Sequence, residues 1–257
     1  MTDQGSVPTH GPDVAVAAHG VNDGQRTEMA IGAGGVPLTV SRPDGVVRGG
    51  VIVVQEAYGV NAHIAAVTRK LAGQGYLAVA PHLYHRAGDL TPDTFAAARP
   101  LLTGLTGDEM AGDLTAALEF LLGAGVDDDR IGIVGFCMGG TVALWAAATL
   151  PVAAAVTFYG AGITKPRWSG VPAGLESAAS LRAPWLGLYG DADTSIGTEE
   201  VEALRSTLGS SGVAAQIVRY PGAGHAFATD PASPHHVPEA AADAWNRALG
   251  WFDAHLR

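Results

Sequence analysis

The chain has 257 residues, a net charge of −10, 47% hydrophobic and 16% charged residues. That is the balance of a globular protein with room for one large core, and it holds no basic block to suit nucleic acid. The single cysteine, Cys137, excludes any internal disulfide framework and fits a reducing compartment.

Residues 1–25 are polar, with few large apolar side chains, and are expected to form a flexible tail without the features of a secretion signal. A single domain is expected over 26–257. Met29–Ile31 and Val36–Val40, joined through Gly34-Gly35, form a β-hairpin pattern. Val51–Val54 is a β-branched run of the kind buried on both faces of a parallel sheet, ending at Gln55-Glu56-Ala57-Tyr58-Gly59. Asn61 reads as the N-cap of a helix with Ile64, Val67 and Leu71 on one face. Tyr76–Ala80 is the next buried strand, with Leu83-Tyr84-His85-Arg86 beyond it, and residues 87–107 read as a long connection. A helix is expected over Asp113–Leu122.

The run Ile131-Gly132-Ile133-Val134-Gly135-Phe136-Cys137-Met138-Gly139-Gly140 organises the rest. An apolar strand ends in Gly-x-Cys-x-Gly-Gly and an Ala-rich helix follows at once. This is the strand–sharp turn–helix that presents a nucleophile, with cysteine where serine is usual. Further strands are expected over Val152–Tyr159, Trp185–Tyr189 and Ala215–Tyr220, each followed by polar or Gly-rich residues. Residues 161–182 read as a loop over the site, Thr198 as the cap of a helix, and Pro238–His255 as a closing helix. Alternation of strands and helices from residue 50 predicts an α/β class. Together with the nucleophile elbow it predicts an α/β-hydrolase fold, a mostly parallel sheet with helices on both faces and ligands off the strands' carboxyl ends.

The order Cys137, then an acid, then His225 matches nucleophile–acid–histidine. Asp191 and Asp193 compete for the acid; Asp193 is preferred, leaving Asp191 to the turn. The amides of Met138 and Ala57 are the candidate oxyanion donors. A helix starting near Met138 points its dipole at Cys137. Tyr58, Tyr159 and Trp168 are candidate substrate walls, Trp168 alternatively a packing residue in its loop. The pair His235-His236 lacks a third ligand, so no metal is expected, and His63, His82 and His85 read as surface or loop groups.

These motifs together resemble the dienelactone hydrolase family over about residues 45–255. The likeness rests on Gln55-Glu56-x-Tyr-Gly-Val-Asn61, Ala80-Pro-x-Leu-Tyr-x-Arg86, Gly135-Phe-Cys-Met-Gly-Gly140, Gly190-x-x-Asp193 and Gly224-His-x-Phe227. The resemblance implies a cofactor-free cysteine hydrolase that opens lactones. It implies that Glu56 guards the resting thiol until substrate displaces it, and that Arg86 binds a substrate carboxylate. A second family arginine falls where this chain has Thr229, so a less anionic lactone or ester is expected. An acyltransferase or thioesterase with the same residues, or a redox-sensing or binding protein on the same scaffold, are the rival readings. The expected setting is cytoplasmic, as a monomer or small homo-oligomer acting on a small molecule, with neither nucleic acid nor membrane as partner.

Overall fold

The computed structural model describes residues 17–18 and 27–257. Most of the expected tail therefore lies outside the described residues. Ala17–Ala18, within it, form a short strand, β1, paired antiparallel with β2 (Thr27–Ile31). β2 turns through Gly34 and Gly35, both at positive φ, into β3 (Pro37–Ser41). There follow β4 (Gly49–Val54), α1 (Ala62–Ala72), β5 (Tyr76–Pro81), α2 (Phe95–Gly104), α3 (Gly107–Gly123) and β6 (Ile131–Phe136). The chain closes with α4 (Met138–Thr149), β7 (Ala154–Phe158), α5 (Gly174–Ala179), β8 (Trp185–Gly190), α6 (Thr198–Thr207), β9 (Ala215–Tyr220) and α7 (Pro238–His255).

The nine strands form one sheet in the order β1-β2-β3-β5-β4-β6-β7-β8-β9, parallel from β5 to β9 and antiparallel at the β1–β3 edge. β4 to β8 are buried at every position, which is why these strands are runs of Val, Ile, Leu, Ala and Gly instead of alternating patterns. From β4 the chain moves one way to β5 and then crosses back to β6 on the other side. The crevice at the carboxyl ends of β4 and β6 is thus the switch point where open α/β sheets hold ligands. Register sharpens this: Val54 lies opposite Gly135, and Phe136 opposite Phe158. The residues that follow three neighbouring strands emerge together.

Three expectations are corrected. Residues 87–107 contain α2, which Thr94 caps by accepting from the Ala97 N–H. The helix expected at Asp113 begins at Gly107, behind a capping box between Thr106 and Glu109. In α6 the cap is Gly197, and Thr198 is the first helical residue.

Candidate active site

Cys137 sits between β6 and α4 at φ 53°, ψ −115°, a conformation that costs a non-glycine residue about 1–3 kcal/mol. The surroundings hold it there. Its N–H donates to the Phe158 carbonyl at 3.0 Å, and its carbonyl accepts from Gly140 and Thr141. The glycines around it are required by space: a Cβ on Gly135 would lie 1.9 Å from the Gly139 carbonyl oxygen, and one on Gly139 2.4 Å from that of Val54. Met138 opens α4, so its N–H is among those with no partner inside the helix.

His225 follows β9 in the loop Gly222–Phe227, and its Nδ1 lies 2.6 Å from Asp193 Oδ2. The other oxygen of Asp193 accepts from the Ser195 N–H and Oγ–H, both at 2.7 Å, and from the Ile196 N–H. Burial pushes the Asp193 carboxyl up, but the bonds from His225 and Ser195 outweigh it and hold it below the usual carboxylate range. Burial likewise pulls the His225 imidazole down. Its bond to Asp193, with Cys137 close by and the charge on Asp193, reverses that and holds it up to about 10. Asp191 faces elsewhere, 2.6 Å from Arg219 Nε.

Glu56, directly after β4, is only 6% exposed. Its one side-chain hydrogen bond is from the Tyr159 hydroxyl, at 3.3 Å. Burial pushes its carboxyl up to about 7; the His225 charge and the Tyr159 bond pull back only in part. Gln55 pins this loop, its Oε1 accepting from the Leu83 N–H at 3.1 Å, and the Tyr84 hydroxyl donates to the Ala57 carbonyl at 3.0 Å.

Above Cys137 is a cavity of about 650 Å³. Glu56, Ala57, Tyr58, Asn61, Ala62 and His63 form the β4–α1 side; Ala192, Thr194, His225 and Thr229 face them; Phe95 from α2 stands at the rim. Of the expected substrate walls, Tyr58 lines this cavity. Tyr159 is fully buried behind it, its ring 5.2 Å from that of His225. Trp168 is remote, buried against α2, with its indole N–H donating to the Leu102 carbonyl at 2.7 Å. The loop 161–182 thus packs on α2 and carries α5 of its own.

Arg86 also falls outside the cavity lining. Its guanidinium makes two bonds, 2.8 and 2.9 Å, to Asp113, a carboxylate with no exposed surface. No arginine or lysine lines the cavity among the described residues. Of the three histidines expected as surface or loop groups, His82 and His85 do lie in the connection after β5, while His63 lies on α1. His82 is buried between Thr39 and Asp89, His85 bonds Asp113, and His63 lines the cavity. Ser195, Phe95 and His63 were missed. Only Ser195 left a signal, in Asp193-Thr-Ser195, whose spacing suits an Asx turn.

Among the described residues no three His, Cys, Asp or Glu side chains are gathered as a metal site, and no helix is long and apolar enough to cross a membrane.

The fold and the strand–elbow–helix define an α/β hydrolase. The dienelactone hydrolase family matches residues 37–256, and the chain belongs to that family. It is 39% identical over 251 residues to a Salmonella typhimurium protein named "Putative carboxymethylenebutenolidase", covering 95% of this chain and 89% of that one. It is 33% identical over 210 residues to a Bradyrhizobium "Probable 2-oxo-3-(5-oxofuran-2-ylidene)propanoate lactonase", covering 80% and 84%. Among solved structures, the "Putative Dienelactone Hydrolase" of Klebsiella pneumoniae matches with TM-score 0.81 and 34% identity, over 94% of this chain and all of that one. The protein is accordingly a carboxylic ester hydrolase.

Proposed function

We propose that the protein hydrolyses a lactone or small carboxylic ester through an acyl-enzyme on Cys137. The observation that carries this is the convergence at one switch point of an elbow cysteine, a histidine lining the same cavity and a carboxylate bonded to that histidine. The proton of the Cys137 thiol resides on His225, as imidazolium beside the sulfur, and Sγ attacks the carbonyl carbon. The Met138 and Ala57 amides receive the negative oxygen of the tetrahedral intermediate. As the intermediate collapses, the C–O bond breaks and His225 returns the proton to the leaving alkoxide. Water, activated by the same imidazole, then releases the acid and restores the thiol. Asp193 keeps the imidazole oriented and stabilises its charge, with Ser195 orienting Asp193 in turn.

Glu56 fits a guarding role. Burial holds its carboxyl near neutral pH beside Cys137 and His225, so small changes on substrate entry alter its charge and position. The cavity contributes carboxylates and no lysine or arginine, which supports an uncharged substrate over an anionic one. The charge and single thiol fit a cytoplasmic setting.

Turnover of p-nitrophenyl acetate tests the reading. Cys137→Ala and His225→Ala should each lose about a thousandfold or more in kcat. Retained activity in both would overturn it. Cys137→Ser should also be poor, since the hydroxyl is far harder to ionise.

A further inference from the structure

Beside the cavity above Cys137 lies a second, of about 330 Å³, in the groove between α1 and α7. From α1 it takes Ala66, Val67 and Lys70; from α7, Ala241, Ala242 and Trp245. With His63 and Pro238 added, each helix presents an i, i+3, i+4, i+7 stripe, which is one face of a helix. These two faces, closed by Ala228, Pro231 and His236 from the segment before α7, line a mainly apolar trough with the Trp245 indole in it.

His63 and Thr229 line both cavities. They are the partition between the trough and the proposed acylation site. Phe136, the residue before Cys137, meets both sides of the trough: the His63 ring edge-on at 6.0 Å and Trp245 at 5.8 Å. The trough therefore packs on the strand that ends at the elbow. Lys70 is already engaged, its ammonium 4.4 Å over the Trp245 ring.

We propose that this trough is a subsite for an extended, uncharged acyl chain of the substrate. The inference rests on the acyl-enzyme reading. His225 must reach the leaving oxygen, so the leaving group occupies the His225–Asp193 side. The acyl part then extends between His63 and Thr229, the residues common to both cavities, toward α1 and α7. Walls of Ala, Val and Trp suit methylenes, and Glu56 and Asp230 in the first cavity oppose an anionic arm on its way through. The substrate class is thus an ester or lactone with an unbranched apolar chain on the carbonyl side.

The experiment compares p-nitrophenyl acetate, butyrate and hexanoate. In the wild type kcat/KM should rise with chain length, by up to about fourfold per methylene that leaves water. Ala66→Phe and Ala242→Phe fill the trough from opposite helices, and neither residue lines the first cavity. Each should lower hexanoate turnover about tenfold and leave acetate within about twofold, acetate also reporting correct folding. A flat series in the wild type overturns the proposal. So does an equal effect of both variants on acetate and hexanoate, or a matching gain when the alcohol side is lengthened instead. Failure of the underlying reading looks different: acetate turnover that survives Cys137→Ala.

Discussion

At the scale of single residues, the proposed chemistry turns on how burial and neighbours set two acids against one base. Asp193 is stabilised as a carboxylate by three donors besides His225, which hold it below the usual carboxylate range. Glu56 has one weak partner and little water, so its charge depends on pH. The sign of that dependence is fixed. A carboxyl raised from 4.5 to about 7 contributes stability that is fully present below the lower value and lost as pH rises through the upper. Glutamine cannot ionise, so Glu56→Gln should gain on the wild type as pH rises from about 5 to 8, approaching about 3 kcal/mol. Thermal melts across that range check it; a difference that does not grow with pH would contradict the account. Ser195→Ala removes one donor from Asp193 and should lower kcat about tenfold, with a smaller change in KM. Asp193→Asn, which also removes the charge opposite His225, should cost two or more orders of magnitude in steady-state kcat.

At the scale of elements, the strands and the elbow were legible because burial on both faces leaves a continuous apolar run and because tight packing admits only glycine. The helices α2 and the first turn of α3 were not. Phe95-Ala-Ala-Ala-Arg-Pro100 has Pro100 within the helix and an exposed face, so no clear stripe announces it. Trp168 and Arg86 show the limit of placing side chains by their distance from a strand. Trp168 finds its partner on α2, and Arg86 is captured by Asp113 on α3, elements whose approach no local pattern encodes. Arg86 is thus read as a clamp between the β5–α2 connection and α3. Arg86→Ala leaves a buried carboxylate with only His85 beside it. It should destabilise by about 2 kcal/mol, less than a fully buried pair because Arg86 is partly solvated. Calorimetry should record a fall in Tm of about 4–8 °C, with KM for p-nitrophenyl acetate nearly unchanged. A large rise in KM at unchanged Tm would return Arg86 to the substrate.

At the scale of the whole molecule, the sheet order does most of the work. Because β4 and β6 are neighbours in space and far apart in the chain, Glu56 and Cys137 share one crevice, and parallel register brings His225 and Asp193 to the same edge. The chain order of Cys137, Asp193 and His225 already foretold that meeting. The charge state of Glu56 and the trough beside His63 were hidden, since both depend on what packs around a residue from several elements at once. The central claim is that the acyl group passes through Cys137 Sγ, and rapid-quench mass spectrometry during p-nitrophenyl acetate turnover tests it most directly. The account predicts an acetyl adduct on the peptide containing Cys137, formed with the first burst of p-nitrophenol and absent in Cys137→Ala. A burst without that adduct, or with the acetyl group on another residue, would contradict it.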